Sequence, residues 1–257
     1  MTIYIILNNR LVKEVVFLES GEKEESKARI LNAAIQLFAA KGYDATRVSE
    51  IADSAGVNKA LIYYYFKSKE DILDYLVNSL MNDFTNISMD FIHECMVQMI
   101  KDGRLDILED RVHFTTEEDL QYFLDHGIFY YQKVLEYVLA NRRIIRILML
   151  ESLKTSKHHD ALFRFLDLMK ESDGNPLYKT IWDADHDIRY TKELVLHKFL
   201  FSLLPVVGFA VYYEDYQRIS GMSEQEMREA FLRSSKAISA SFVSGTDILM
   251  RFMGPVL

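Results

Sequence analysis

The sequence of 257 residues predicts an all-α protein. From Ser26 onward, apolar residues recur on one helical face, as Ile30, Ala34 and Phe38 do at i, i+4 and i+8. Only 3 Pro and 10 Gly interrupt the chain, which disfavours loop-rich β architectures. After position 20, no run of alternating apolar and polar residues competes with the helical pattern.

The first helices have clear boundaries. The first helix ends at Gly42, and Thr46 can cap a short second helix that ends at Gly56. A third short segment, residues 59–66, follows within three residues. Ser68, with an acidic residue three positions later, is typical of the N-terminus of a long fourth helix.

Further helices are predicted beyond residue 100. Thr115 and Glu118 form a capping-box pattern before a helix that runs to about Asn141. The other predicted helices are 142–154, 157–172, a short one after Asn175-Pro176, a long one from about Arg189 to Tyr216 that Pro205 should kink, and a last one from Ser223 with Glu226 to about Val243.

The net charge of −8 is unevenly distributed. Residues 20–70 hold eight Lys and Arg against seven Asp and Glu, whereas residues 71–257 hold 20 against 29. The N-terminal part therefore carries +1 and the long remainder −9. Because contacts to a polyanion depend on the face that is presented, the first part could still bind nucleic acid.

The sequence contains none of the common catalytic or phosphate-binding motifs GxGxxG, GxxxxGK[ST], GxSxG and HExxH. The single cysteine, Cys95, excludes an intramolecular disulfide and a CxxC-type zinc site, and it fits a reducing compartment such as the cytoplasm. His158-His159-Asp160 could ligate a metal, but adjacent helical positions point apart and no third ligand is suitably spaced. We predict no catalytic site, no metal and no cofactor.

Two apolar segments raise the question of membrane insertion. Residues 1–22 lack a basic start and a small-residue cleavage site, so we expect no secretory signal there, but a β-hairpin or a disordered extension. The segment 199–213 holds 15 residues, short of the roughly 20 that span a bilayer. We expect it to be buried in a core or a subunit interface, and we expect no membrane partner.

Two short helices joined at Gly56 are typical of a helix-turn-helix unit. In such a unit the second helix enters the major groove of DNA. Here that helix would begin near Asn58 and carry three adjacent tyrosines, residues 63–65. Successive helical residues point 100° apart, so the three cannot all face one core and at least one projects outward. Phe66, which follows them, is assigned to the core.

Residues 28–73, ARILNAAIQLFAAKGYDATRVSEIADSAGVNKALIYYYFKSKEDIL, resemble the DNA-binding domain of the tetracycline-repressor (TetR/AcrR) family of bacterial regulators. The matching pieces are AAIQLFAAKGYDAT, the IADSAGV turn and LIYYYFKSKEDIL, in the order and spacing of the family. The resemblance implies a helix-turn-helix DNA-binding domain over residues 23–70. It also implies a helical ligand-binding and dimerisation domain over residues 71–257.

By the same resemblance, eleven residues would form the contact with DNA. The family pattern commonly has other residues at three of them, Asn58, Ala60 and Tyr64, so the operator sequence does not carry over. The set comprises Thr46, Arg47 and Ser49 near phosphates; Asn58, Lys59 and Ala60 near bases; Tyr63, Tyr64 and Tyr65 on phosphates or thymine methyls; and Lys67 and Lys69 on a phosphate at the start of the fourth helix.

The resemblance further implies a homodimer on double-stranded DNA with a palindromic operator, and a small-molecule inducer. A two-fold dimer holds two such heads about one turn of DNA apart. The predicted interface is formed by helices near 189–216 and 223–243, although the first of these could instead be the core of one subunit. The candidate ligand-binding residues, most of which could equally be plain core, are Phe123, Tyr130, Tyr137, Met149, Glu151, Phe163, Trp182 and Phe199.

These observations favour a ligand-responsive, cytoplasmic transcriptional regulator, and in particular a repressor that an inducer releases from its operator. Two alternatives belong to other classes. A helical partner-binding adaptor would explain the acidic helices but would leave the 28–73 pattern unexplained. An enzyme with an unrecognised site in the helical body has no motif in its favour.

Overall fold

The computed structural model describes residues 21–108, 111–155, 157–190 and 192–244. The hairpin or disordered extension predicted for residues 1–22 lies outside the described residues, except that Gly21 and Glu22 belong to the first helix.

The all-α prediction is confirmed, with one small antiparallel hairpin added to the helices. The elements follow in chain order, with labels used throughout: α1 (Gly21–Lys41), α2 (Val48–Ala55), α3 (Lys59–Tyr65), α4 (Lys69–Phe91), a π-helical segment (Ile92–Val97), α5 (Gln98–Lys101), β1 (Leu105–Leu108), β2 (Arg111–Phe114), α6 (Glu117–Ala140), α7 (Arg142–Ser152), 3₁₀ segments (His159–Ala161 and Phe163–Met169), α8 (Pro176–Trp182), α9 (Lys192–Lys198), a second π-helical segment (Phe199–Leu203), α10 (Leu204–Val211), α11 (Tyr213–Ser220) and α12 (Glu224–Ser244).

The described chain divides into two compact units. The first comprises the residues up to Phe84 together with Tyr137–Arg164, and the second comprises Thr85–Glu136 and the residues from Phe165 onward. The long helices α4 and α6 each have residues in both units. The boundary after residue 70, between a DNA-binding and a ligand-binding domain, divides the chain by expected function and stays a prediction.

The first unit begins with a three-helix head formed by α1, α2 and α3, which contact one another. Each contributes an isoleucine that is fully buried: Ile30, Ile51 and Ile62. Burial of a side chain of this size stabilises the folded state by roughly 1.5–3 kcal/mol. Short helices gain most of their stability from such tertiary packing, so α2 and α3 depend on this core.

Behind the head, α7 packs against α1 in the same unit. Its apolar stripe, which includes Ile144, Ile147 and Leu148, is buried. The first unit also holds a buried polar pair between α4 and α6, in which the Tyr137 hydroxyl donates to Asp83 Oδ2 at 3.1 Å. Burial raises the pKa of Asp83, and the hydrogen bond from Tyr137 opposes the shift only in part.

The second unit has its own core, around the π-helical segment, the hairpin and α8. Cys95 and Met99 are fully buried in it, and burial raises the pKa of the Cys95 thiol to about 11. The hairpin pairs Leu105 with Phe114 and Ile107 with Val112. Asp185 fixes the edge of β1, since its Oδ2 accepts the Ile107 N–H at 2.9 Å.

The sequence analysis predicts no strand after position 20, and this prediction is wrong for residues 105–108 and 111–114. Leu105 and Ile107 are buried while Asp106 between them is exposed, which is the alternation of a half-buried strand. The run is only four residues per strand. Arg104, just before β1, binds Asp119 at the start of α6 with an Nε–Oδ1 distance of 2.6 Å, which links the hairpin to that helix.

The cap of α6 lies one residue after the predicted one. Thr116 and Asp119 form the capping box, with Asp119 N donating to Thr116 Oγ1 and Thr116 N donating to Asp119 Oδ2, both at 3.1 Å. The predicted cap Thr115 instead donates its hydroxyl to the Gly103 carbonyl at 2.7 Å. The capping patterns at Ser68 and at Ser223 with Glu226 are confirmed.

The α-helix predicted over 157–172 is wrong, because this stretch forms 3₁₀ segments. At the end of this stretch, the Asn175 side-chain amide donates to the carbonyls of Leu168 and Lys170 at 2.8 and 2.9 Å. These carbonyls would otherwise accept the N–H groups that continue an α-helix. The Asn175 side-chain oxygen meanwhile caps α8, accepting from Leu177 N at 3.1 Å.

The helix predicted from about Arg189 to Tyr216 is present but divided. The π-helical segment Phe199–Leu203 directly precedes Pro205, which has no N–H with which to continue the α-helical ladder. In the part of the chain that the structure describes, Leu194–Val211 is the one stretch apolar and long enough to cross a membrane, with mean hydropathy 2.0. Only 17% of it is buried within the chain, so the expectation of a largely buried helix is not met by a single copy.

We expect Asp83→Asn to stabilise the first unit at neutral pH. Because the folded-state pKa of Asp83 is raised, the ionised carboxylate opposes folding above the ordinary Asp pKa, and the neutral amide removes that cost. The gain should therefore be present at pH 7 and should vanish below about pH 4, where the carboxylate is protonated in both states.

Thermal unfolding at both pH values measures this difference. Each kcal/mol added to the free energy of unfolding raises the melting temperature by roughly 2–4 °C. The matched control is Asp90→Asn, an exposed carboxylate on the same helix. An Asp83→Asn variant that melts below the unmodified protein at pH 7 would contradict the prediction.

Candidate nucleic-acid interface

The turn between α2 and α3 sets the geometry of the helix-turn-helix. Gly56 adopts a left-handed conformation with φ 64°, and Val57 N donates to the Ala52 carbonyl at 3.0 Å, which closes the end of α2. A residue with a Cβ is strained at this φ, so glycine is required for so tight a turn.

Helix α3 starts at a capped N-terminus. The Asn58 side-chain oxygen accepts the Leu61 N–H at 2.8 Å, so this predicted base-reading residue also holds the helix. Its neighbours Lys59 and Ala60 are exposed on the first turn of α3. Ile62 and Phe66 point into the head and are buried, which confirms the assignment of Phe66 to the core.

The tyrosines of α3 divide as the helical geometry requires. Tyr63 and Tyr64 are 50% and 65% exposed, while Tyr65 is half-buried. The Tyr64 and Tyr65 rings meet edge to face with centroids 5.0 Å apart. The Lys59 ammonium lies 5.7 Å from the centroid of the Tyr63 ring. The outer face of α3 therefore presents an ammonium group and two phenol rings to solvent.

Two further cations flank this face, and both are exposed: Arg47 before α2 and Lys67 before α4. Arg47 is the residue at the N-terminus of α2, and its N–H donates to Glu50 Oε2 at 2.7 Å. The cap predicted at Thr46 is therefore displaced by one residue. Ser49, on the first turn of α2, is exposed as a phosphate contact would require.

Thr46 and Lys69, both predicted to contact phosphates, have polar groups that are engaged within the head. Thr46 is 2% exposed, and its hydroxyl donates to the Gly42 carbonyl at 2.8 Å. The Lys69 ammonium donates to the carbonyls of Tyr43 at 2.7 Å and Thr46 at 3.0 Å. Burial lowers the pKa of Lys69, although neighbouring carboxylates oppose the shift. A phosphate contact from either side chain would require these bonds to break.

The head matches a known family of DNA-binding domains. The sequence profile described as bacterial regulatory proteins, tetR family, matches residues 30–76, which cover α2, α3 and parts of α1 and α4. Residues 30–76 are thus similar to the bacterial regulatory proteins of the tetR family. The resemblance seen in residues 28–73 is thereby confirmed.

Relatives of the tetR-family head include named bacterial regulators. The HTH-type transcriptional regulator YerO of Bacillus subtilis is 43% identical over 70 residues, which cover 26% of this chain and 24% of YerO. The biofilm operon icaADBC negative transcriptional regulator IcaR of Staphylococcus aureus is 37% identical over 86 residues, or 30% of this chain and 46% of IcaR. The chain thus matches less than half the length of each relative.

The whole fold also has a structural counterpart. A Clostridium perfringens protein proposed to regulate fatty acid metabolism superposes with a TM-score of 0.50 at 19% identity, covering 81% of this chain and 97% of the other. At this identity the likeness concerns the fold alone. It agrees with a tetR-family head followed by a helical body.

The predicted ligand-binding residues are divided between the two units. Tyr137, Met149, Glu151 and Phe163 belong to the first, and Phe123, Tyr130, Trp182 and Phe199 belong to the second. A groove of about 530 Å³ in the second unit is lined by none of these eight, but by Ile100, Gly103, Leu105, Asp106, His113, Thr115, Ala184, Asp185 and His186.

Glu151 in particular does not lie on an exposed helix face. It is 1% exposed, and Oε1 is 2.5 Å from the Lys154 ammonium. Lys154 also reaches Asp44 Oδ2 at 3.2 Å, in the turn before α2. Sequence reasoning missed the link from Lys154 to Asp44 because the two residues are 110 positions apart and no local pattern connects them.

We expect Asn58→Ala to destabilise the head by about 1 kcal/mol, because the Leu61 N–H loses its capping acceptor. Asn58→Asp keeps an oxygen at the same place and adds a negative charge at a helix N-terminus, so it should unfold like the unmodified protein. Urea unfolding followed by circular dichroism measures both. An Asp variant as unstable as the Ala variant would contradict the role of the cap.

Proposed function

We propose that the protein is a transcriptional repressor that binds a palindromic operator as a homodimer and leaves it when a small molecule binds. The observation that carries the proposal is the outer face of α3, where Lys59, Ala60, Tyr63 and Tyr64 are exposed on a packed helix-turn-helix head. An exposed helix of this kind can enter the major groove while α2 crosses the backbone.

The groups on this face suit the chemistry of DNA. Lysine and asparagine donate to base edges, and tyrosine hydroxyls donate to phosphates. The exposed cations Arg47 and Lys67 at the two sides of α3 would bind the flanking phosphates. Ser49, Asn58 and Tyr65 complete the proposed contact, whereas Thr46 and Lys69 would support it from inside the head.

The homodimer is supported by an apolar surface that one copy of the chain leaves open. Leu196, Leu200 and Phe201 on α9 and the π-helical segment after it are between 43% and 57% exposed. Ile238 on α12 is 39% exposed. An apolar surface of this kind is unusual on a soluble monomer and is typical of an interface. A second copy, packed through the segments 189–216 and 223–243, would cover it.

A ligand site is proposed for the second unit. Phe91 stacks on Tyr130 with centroids 5.0 Å apart and meets Phe123 at 5.8 Å, which brings two of the predicted lining residues together. Burial raises the pKa of Tyr130, whose hydroxyl bonds to Ser88 at 3.0 Å. Such a cluster suits an aromatic or aliphatic ligand with a polar group that replaces Ser88 or Tyr130 as partner.

Two other functions from different classes are weaker. A partner-binding adaptor leaves the exposed face of α3 without a role, and an enzyme has no assigned site. The named relatives of the head are regulators of transcription. We therefore propose no enzymatic activity, and we place the protein in the cytoplasm with the chromosome.

Binding to DNA is tested by selecting fragments of the source genome with the purified protein and measuring their affinity by mobility shift in a salt series. A regulator should select a palindrome, and the logarithm of its affinity should fall linearly with the logarithm of salt concentration. Binding to every fragment with equal affinity would count against the proposal.

We expect Lys59→Ala to weaken specific binding by about tenfold, as loss of a base contact does, while Lys67→Ala lowers the salt slope by about 0.9, as loss of one phosphate contact does. Lys179→Ala, an exposed lysine of the second unit, is the matched control and should change neither. Equal behaviour of all three variants would exclude α3 as the DNA-reading helix.

We expect Leu200→Glu to turn the dimer into a monomer, because it places a charge in the proposed apolar interface. Leu153→Glu is the control, since Leu153 is 75% exposed but belongs to the first unit. Analytical ultracentrifugation measures both masses. A dimer that survives Leu200→Glu, or an unmodified protein that sediments only with lipid vesicles, would contradict this interface.

A further inference from the structure

The turn Tyr43–Thr46, which joins α1 to α2, is held on one side by Lys69. The ammonium donates to the carbonyls of Tyr43, Thr46 and Asp44 at 2.7, 3.0 and 3.3 Å, and it lies 4.2 Å from the centroid of the Tyr43 ring. A lysine has three N–H donors, so these three carbonyls use them all. Lys69 is therefore fixed to the turn.

The same turn is held on its other side by Lys154, just after α7. Its ammonium is 3.2 Å from Asp44 Oδ2 and 2.5 Å from Glu151 Oε1. Glu151 is 1% exposed, and a buried carboxylate needs a cation or hydrogen bonds to remain charged. The buried carboxylate thus anchors the lysine that reaches the turn.

Two further contacts join the segment after α7 to the same region. The buried His158 ring meets the Tyr43 ring edge to face at 4.6 Å. Lys157 forms an ion pair with Glu70, the residue next to Lys69 on α4. Lys154 and His158 therefore contact the turn, and Lys157 contacts the start of α4, all within the first unit.

We propose that Lys69 and Lys154, the latter anchored on Glu151, are positioning residues that hold the turn Tyr43–Thr46 and so aim the helix-turn-helix at specific DNA. We call this arrangement the two-lysine clamp. The inference rests on the proposed DNA-binding function and deepens it, because it gives Lys69 a role inside the head and not on a phosphate. It also makes the position of α7 a determinant of DNA affinity.

The physical reason lies in what each lysine binds. An exposed ion pair such as Lys154–Asp44 adds little stability by itself. The clamp differs because Lys69 binds backbone carbonyls, whose positions fix the start of α2, and because Glu151 is buried. A turn that is no longer held would shift α3 relative to the DNA. Contacts to base edges require close geometry, so the shift would weaken them more than it would weaken contacts to phosphates.

The test compares Lys69→Met and Lys154→Met with the unmodified protein in three measurements: affinity for the selected palindrome, affinity for random DNA, and the salt slope. We expect specific affinity to fall by about tenfold or more, the usual effect of losing a charged hydrogen bond, with the salt slope unchanged. Lys179→Met, in the second unit, is the control for loss of a lysine.

A slope that falls by about 0.9 for Lys69→Met, with equal losses on both DNAs, would show a phosphate contact and overturn the clamp at this residue. Circular dichroism at the assay temperature shows whether each variant is folded. Should Lys69→Met not fold, Glu151→Gln and Lys154→Met carry the same test, since both leave the three carbonyl bonds of Lys69 in place.

A double-mutant cycle tests the link between Lys154 and the turn. If Lys154 acts through Asp44, the variant carrying Asp44→Asn and Lys154→Met should lose no more specificity than Lys154→Met alone. Additive losses would overturn that link. If every variant keeps wild-type specificity, the clamp is wrong and the proposed function is unaffected. If the unmodified protein itself prefers no DNA fragment, the proposed function is wrong as well.

Discussion

The seven residues of α3 make too few backbone hydrogen bonds to stay helical alone, and the proposed DNA-binding face depends on how this helix is held. Ile62 and Phe66 are buried on one side of α3, and the Asn58 side chain accepts the Leu61 N–H in its first turn. With that side fixed, the 100° step of the helix places Tyr63 and Tyr64 in solvent. The aim of α3 is therefore set by its apolar anchors and by the turns before it.

Local signals in the sequence were enough to predict the head. Gly56 and Ser68 mark turns and caps whose geometry involves residues only three to five positions away. The tetR-family pattern adds the order and spacing of the helices. For these elements, local preference and tertiary packing favour the same structure, so sequence reasoning and the structure agree.

Long-range partners explain where sequence reasoning was wrong or incomplete. The 3₁₀ segment near Leu168 ends at carbonyls that accept from the Asn175 side chain, five to seven residues later. At the start of α6, Asp119 caps the helix together with Thr116 and also binds Arg104, fifteen residues earlier. Lys154, which pairs with the buried Glu151, also reaches Asp44, 110 positions earlier in the chain. No periodicity encodes such partnerships, which exist only after folding.

The burial of Cys95 has a practical consequence for labelling this protein at a chosen site. The thiolate is the reactive form of cysteine, and a buried thiol with a pKa of about 11 holds very little of it at neutral pH. A cysteine introduced at an exposed site of α2, such as Asp53→Cys, would therefore react selectively with a spin label or dye. In the proposed homodimer, the distance between two labelled heads could then be measured without first removing the native thiol from the core.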